Sequence, residues 1–349
     1  MSLCVNPRVI RYAMGVILLL MAVACTWAAD LNGAGATFPY PIYSKWFDVY
    51  GQKAHGARIN YQSIGSGGGI KQLQAGTVDF GASDAPLSDE EMKTMPAPVV
   101  HLPTVAGAVA VAYNLPGVAK GLKLTPDAVS KIFLGEITKW NDREIAGANP
   151  GLRLPNMPIT VVHRSDGSGT TYIFTHYLAA VSHTWATKVG VGKSVNWPVG
   201  LGGKGSEGVS GLLNQAPGAI GYVELAYALQ SKLPYAFIRN KSGAFVEPTI
   251  ASTTAAAAGA VAAMKKDVRV SIVNAAGRGA YPIAGFTYIL VYKSQADKAK
   301  GTTLVNFLRW AMHEGQGYAS ALVYAPLPKE VVRMNEAAMK SIVFNGKPL

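Results

Sequence analysis

Short β-branched and apolar runs alternate along this chain with stretches whose apolar positions recur every three or four residues. Runs at 58–63, 78–81, 105–114, 159–164, 219–223 and 286–293 carry the strand signature. Thr125-Pro126-Asp127 reads as an N-cap with proline at the first helical position, opening a helix with Val129, Ile132 and Phe133 on one face. Ser88, with Glu91 three residues on, has the form of a capping box. Leu304, Phe307, Leu308, Ala311 and Met312 repeat at helical spacing, with Arg309 and Glu314 off that stripe. Strands alternating with helices predict the α/β class with largely parallel sheets. These stripes are core; the chemistry has to be sought between them.

Two apolar runs, 105–113 and 286–292, are long enough to leave one compact unit and enter another. If both cross together, residues 30–109 and 281–349 form one lobe and 110–280 a second. The alanine-rich stretch 251–263 is expected to be a surface helix, and no repeat of fixed period is present.

The N-terminus has a separate logic. Arg8 and Arg11 precede an apolar run at 13–24 broken only by Gly15, shorter than the roughly 20 residues that span a bilayer. Small residues follow at Ala22, Ala24, Ala28 and Ala29, so 1–29 reads as a secretory signal cut between about 24 and 29, with the periplasm as destination. A buried N-terminal helix is the alternative. A cut after Ala24 leaves Cys25 first and open to lipid attachment, whereas a cut near Ala28 leaves no cysteine. The only cysteines are Cys4 and Cys25, so the folded part has no internal disulfide.

A length of 349 residues suits two domains, and 49% apolar with 15% charged residues argues against disorder. Loss of 1–29 removes two of the 32 Lys+Arg and none of the 20 acids, leaving 30 basic against 20 acidic side chains. That balance is compatible with steering an anion to a cleft. No basic run is dense enough for a nucleic-acid arm, and a monomer without nucleic acid is expected.

Three places share one design: a small glycine-rich turn with a hydroxyl residue, followed directly by a helical pattern. GAGATFP at 33–39 leads into Tyr43, Trp46, Phe47 and Tyr50. Gly65-Ser66-Gly67-Gly68-Gly69 leads into Ile70 and Leu73. Arg164-Ser165-Asp166-Gly167-Ser168-Gly169-Thr170 leads into Ile173, Phe174 and Tyr177. A helix start offers unpaired N–H groups and the positive end of a dipole, glycine lets backbone approach closely, and Ser or Thr adds directional donors. Each turn alone reads more readily as an ordinary cap; three together, one headed by Arg164, point to a cage for a tetrahedral oxyanion with a charge-assisted contact from that arginine. Asp84, in Gly81-Ala82-Ser83-Asp84-Ala85-Pro86, is open to an Asx-turn reading. In an anion site it would accept a hydrogen bond only from a ligand that still carries a proton, as phosphate does near neutral pH and sulfate does not.

These strings, with SIGSGGGIKQLQAGTVDFGASDAPLS (63–88), HRSDGSGTTYIFTHYL (163–178), NWPVGLGGKGSEGV (196–209) and PGAIGYVELAYA (217–228), resemble the phosphate-binding proteins of Pst-type ABC transporters over essentially the whole mature chain. The resemblance implies a two-lobe periplasmic-binding-protein fold of type II, inorganic phosphate in the interlobe cleft, and delivery to an inner-membrane ABC permease. Carried over position by position, it makes Thr37, Phe38 (through its backbone N–H), Ser66, Arg164, Ser168, Gly169 and Thr170 phosphate ligands. Asp84 then accepts the phosphate proton, and Asp166 pairs with Arg164. Gly67 departs from the family, where a second serine is common; with Ser66 kept, little is expected of it.

No enzyme is expected. Residues 200–205 match G-x-G-x-x-G, yet the match follows Trp197-Pro198, and Lys204 is followed by glycine, so the default is a loop. Neither Ser66 nor Ser168 sits in a G-x-S-x-G elbow, and the six histidines form no H-x-x-x-H pair. A phosphatase on the same cage would need a nucleophile or metal cluster that the sequence does not offer. No cofactor or metal is expected. Sulfate and molybdate receptors are the binding-class rivals against which Asp84 argues; arsenate, which keeps a proton, would be poorly excluded.

Overall fold

The computed structural model describes residues 29–54 and 57–349, so the expected signal segment lies, apart from Ala29, outside the described residues. The chain opens with β1 (Leu31–Gly35), α1 (Tyr40–Lys53), β2 (Ile59–Ser63), α2 (Ser66–Gln74) and β3 (Phe80–Ser83). It continues through α3 (Asp89–Thr94), β4 (Val99–Asn114), β5 (Lys123–Leu124), α4 (Pro126–Phe133), α5 (Arg143–Ala148) and β6 (Thr160–Arg164). Next come α6 (Gly169–Val181), α7 (His183–Lys188), β7 (Leu201–Gly203), α8 (Gly205–Gln215), β8 (Ala219–Glu224) and α9 (Leu225–Gln230). After β9 (Phe237–Arg239) and β10 (Phe245–Val246), α10 (Ile250–Ala258) and α11 (Val261–Met264) lead to β11 (Ala284–Tyr292), α12 (Lys298–Met312) and α13 (Lys329–Met339).

The main sheet runs β2-β1-β3-β11-β4-β8-β6-β7. β1 pairs in parallel with β2 and β3, and β6 with β7 and β8. β4 joins these two parallel groups. Its first part lies antiparallel to β11 up to Ala108↔Ala284, and its last part antiparallel to β8 from Val109↔Glu224. One 16-residue strand therefore serves both halves, which accounts for its nearly unbroken apolar sequence and burial. The second apolar run does not cross with it. β11 pairs only within the first group, and the return passage lies just before it, where the Ile283 carbonyl accepts the Val109 N–H at 2.7 Å. The 286–292 run is apolar because both its faces are covered, and hydrophobic pattern alone does not separate that from a crossing.

Local signals act as read. Ser88 and Glu91 exchange both arms of a capping box, and Thr125 Oγ1 accepts the Ala128 N–H ahead of Pro126. The alanine-rich stretch becomes α10 and α11. It is less superficial than expected, because Ala256, Ala257 and Met264 are buried. On α1, Tyr43, Trp46, Phe47 and Tyr50 form the buried face, and Trp46 Nε1 donates to the Gly315 carbonyl at 2.7 Å, pinning the helix to the C-terminal segment.

Candidate functional site

The C-terminal ends of β1, β3 and β6 and the starts of α1, α2, α6 and α8 converge where the two strand groups face each other. At three of these helix starts no side chain caps the first turn: the N-caps are Pro39 for α1, Gly65 for α2 and Lys204 for α8. At the first two, which the sequence left open to a capping reading, the hydroxyls of Thr37 and Ser66 are free for other work. Only at α6 does the capping reading hold, with Ser168 Oγ accepting the Thr171 N–H at 3.0 Å.

Thr37 and Phe38 follow β1 and are buried. Their carbonyls are gripped by two tyrosines, Tyr227 Oη donating to Thr37 O at 2.7 Å and Tyr324 Oη to Phe38 O at 2.6 Å. Ser66, the first residue of α2, accepts two backbone N–H groups at Oγ, from Asp84 at 3.2 Å and from Gly169 at 3.0 Å. With both lone pairs engaged, its own proton is left to donate. The Gly169 N–H, expected to face the ligand, is thus directed to Ser66.

Arg164 ends β6 with its side chain 1% exposed. It grips Asp166 by two parallel bonds, Nε to Oδ1 at 2.7 Å and Nη2 to Oδ2 at 2.5 Å. Burial works against its charge, but the hydrogen bonds and attraction of Asp166 hold the guanidinium above its usual range. Burial likewise opposes ionisation of Asp166, and Arg164 outweighs it, keeping this carboxyl below the usual range. Asp166 Oδ1 also accepts the Gly205 N–H at 3.0 Å, so the pair anchors the start of α8. The remaining nitrogen, Nη1, sits 3.5 Å from both Thr170 Oγ1 and Ser206 Oγ. Since Arg164 and Asp166 cancel in charge, what the arrangement offers an anion is oriented N–H and O–H dipoles and the one guanidinium nitrogen not bound to Asp166, and not net charge.

Asp84 closes β3 and is 3% exposed. Burial pushes its carboxyl up to about 7, while the Thr287 and Ser66 hydroxyls and the Arg164 charge pull the other way. Among the described residues Oδ1 has no hydrogen-bond partner, and the neighbouring Thr287 hydroxyl does not meet the geometry for one. A buried acceptor left unpaired costs about 1–3 kcal/mol, so this oxygen is poised for a donor brought by something else. An Asx turn does not account for it.

Gly169 is one of the places where the halves touch closely. A Cβ there would fall 2.5 Å from Asp84 Oδ2 and 2.6 Å from Ser66 Oγ. Gly67 makes a second contact: its N–H donates to the Gly167 carbonyl at 2.8 Å, and a Cβ would sit 3.1 Å from Gly167 Cα. The position of which little was expected is therefore a backbone-to-backbone crossing. At the rim, Lys193 Nζ pairs with Glu91 Oε1 at 2.5 Å and Arg269 Nη1 with Asp89 Oδ1 at 2.8 Å.

All nine residues singled out from the sequence (Thr37, Phe38, Ser66, Asp84, Arg164, Asp166, Ser168, Gly169 and Thr170) lie in this one cluster. Sequence reasoning missed Ser206, Tyr227 and Tyr324. The tyrosines lie on other elements with no local signature. Ser206 does carry a signal, a Gly-Ser pair opening a helix, but it directly follows the 200–205 match, which reads by default as a loop. His163 stacks on Trp197 at 4.8 Å and His176 Nδ1 meets Ser271 Oγ at 3.2 Å, both packing roles. Among the described residues no three His, Cys, Asp or Glu side chains gather to hold a metal.

A family model described as a PBP superfamily domain matches residues 24–314. The phosphate-binding protein PstS of Xylella fastidiosa (strain Temecula1 / ATCC 700964) is 47% identical over 313 residues, covering 89% of this chain and 85% of that protein. PstS of Pasteurella multocida (strain Pm70) is 45% identical over 328 residues, covering 93% and 94%. Among solved structures, a DING protein superposes with a TM-score of 0.72 at 25% identity over 92% of this chain and all of its own. A periplasmic phosphate-binding protein (PfluDING) bound with phosphate gives 0.69 at 24% identity over 92% of this chain, a likeness of fold.

Proposed function

This chain belongs to the PBP superfamily and, within it, to the PstS phosphate-binding proteins, and from that premise we propose how its own residues capture phosphate. It has the two-lobe periplasmic-binding fold and is a phosphate-binding substrate receptor of an ABC importer, a binding protein and not an enzyme. Residues 30–109 with 281–349 form one lobe and 110–280 the other, joined through β4 and the passage before β11. The Thr37 hydroxyl, the Phe38 N–H and the Ser66 hydroxyl donate to phosphate oxygens from the first lobe. Arg164 Nη1 and, at the α6 start, Ser168 and Thr170 do so from the second, while Gly169, whose N–H is engaged by Ser66 Oγ at 3.0 Å, lines the site by its close approach. Asp84 Oδ1 accepts the P–OH proton, and Asp166 orients Arg164 and balances its charge.

A ligand held from both sides favours the closed arrangement by its differential affinity, and the closed form is the one that docks on the permease. The protein works as a monomer, exported to the periplasm with 1–29 removed. Among the described residues no helix is long and apolar enough to cross a membrane.

The observation that carries this reading is the unpaired Asp84 Oδ1 set among donors. Titration calorimetry of the refolded, phosphate-free mature protein on the alkaline side of neutral, where the Asp84 carboxyl is ionised, is expected to give tight one-to-one binding of phosphate and no heat from sulfate. Sulfate binding as tightly as phosphate would remove Asp84 from the role of proton acceptor.

A second expectation concerns closure itself. Gly169→Ala puts a methyl group where Asp84 and Ser66 of the other lobe already stand, so phosphate affinity should fall at least about a hundredfold, an overpacking cost of roughly 3 kcal/mol. Thermal unfolding without ligand should shift little, because the atoms nearest that methyl belong to Asp84 and Ser66 and withdraw when the lobes part. Wild-type affinity in this variant would mean that the lobes do not approach this closely around the ligand.

A further inference from the structure

We propose that Ser206, which no sequence motif singled out, fixes the direction of the Thr37 hydroxyl and so makes it a hydrogen-bond donor to phosphate. This rests on the reading that Thr37 is a phosphate ligand. A hydroxyl can donate once and accept twice, and its neighbours decide which way it turns. Ser206 is fully buried. Its Oγ lies 2.9 Å from Thr37 Oγ1 and 3.5 Å from Arg164 Nη1.

Arginine can only donate. Although 3.5 Å is long, a full positive charge in a buried place turns the oxygen end of the Ser206 hydroxyl towards itself. The Ser206 proton then points at Thr37 Oγ1. The Ser206 backbone N–H aims at the same oxygen from 3.3 Å. With two donors directed at its oxygen, Thr37 has its own proton left over, and that proton faces the ligand. Phosphate presents mostly acceptor oxygens, so a hydroxyl fixed as donor is what its recognition needs, and one turned the other way would oppose a lone pair to a lone pair.

The relay also spans the cleft. Thr37 follows β1 of the first lobe, while Ser206 lies in the first turn of α8, which packs on β6, β7 and β8 of the second. The bond exists only when the lobes are together, so losing it should speed dissociation and leave association unchanged.

The test compares Ser206→Ala, Ser206→Thr, Thr37→Val and the double variant Thr37→Val/Ser206→Ala. Phosphate affinity is read by calorimetry, dissociation by stopped flow and folding by thermal unfolding. Ser206→Ala should bind phosphate about tenfold more weakly, as for one hydrogen bond, nearly all of it in the dissociation rate and with unchanged unfolding temperature. Ser206→Thr, which keeps the hydroxyl, should recover most of the loss. On the Thr37→Val background the Ser206→Ala change should cost less than about twofold, because its effect passes through Thr37. Losses that add in the double variant, or a threonine no better than alanine, would overturn the relay while leaving Thr37 as a ligand. Thr37→Val with wild-type affinity would instead overturn the reading on which the relay rests.

Discussion

Arg164→Ala should weaken phosphate binding by about a hundred- to a thousandfold, the largest loss expected of any single change in the cage. The variant loses the one fully charged donor and strands Asp166, which Arg164 holds by two short bonds at 2.7 and 2.5 Å. Breaking a buried ion pair from one side costs about 3–5 kcal/mol, much of it the penalty of the partner left unpaired. Here that partner is also an anion facing an anionic ligand. Arg164→Lys should fall between, because an ammonium can meet either Asp166 or the ligand but cannot form the planar fork that does both. Calorimetric titration with phosphate checks the series. Wild-type affinity in Arg164→Ala would place the guanidinium outside the phosphate contacts.

Asp84→Asn should change which anion binds more than how tightly anions bind at all. The amide can donate where the carboxylate only accepts, so sulfate gains a partner and phosphate keeps most of its own. Sites built around one required hydrogen bond discriminate by about 10⁴ to 10⁵, and most of that margin should disappear. Equal losses for the two anions would contradict the role of proton acceptor.

The wild-type protein should show a weaker form of the same effect with pH. Burial pushes the Asp84 carboxyl up from 3.8 to about 7. As the pH falls through 7 the carboxyl gains a proton of its own and can donate, so sulfate binding should emerge towards acid pH. The sign for stability follows from the same shift. A folded-state pKa above the unfolded value means that the folded form binds more protons between 3.8 and about 7. The contribution of Asp84 is therefore present in full below 3.8 and is lost as the pH rises to 7. Thermal unfolding of the ligand-free protein across this range, beside Asp84→Asn, would isolate it.

Much of this was legible in the sequence because helix starts, caps and glycine turns are written within a few consecutive residues. Thr37, Ser66 and Arg164 each sit in such a string. What was not legible depends on partners far away along the chain. Tyr324 reaches Phe38 across 286 positions and Tyr227 reaches Thr37 across 190, and nothing near either tyrosine announces it. The second apolar run misled for a different reason. Burial on both faces of a central strand and passage from one lobe to the next leave the same hydrophobic record, and only the register of β11 against β4 distinguishes them.

The crossing of Gly67 and Gly167 carries a consequence for how this protein can vary. The Cβ that either residue lacks would sit 3.1 Å from the Cα of the other, so the two positions share one clearance. A side chain at 67 is tolerable only to the extent that 167 stays bare or the lobes close at a slightly different angle. Drift at one site thus alters the selection felt at the other, although a hundred residues separate them. The pair would evolve as a unit, and the side-chain volume found there in any descendant would record how tightly its lobes shut.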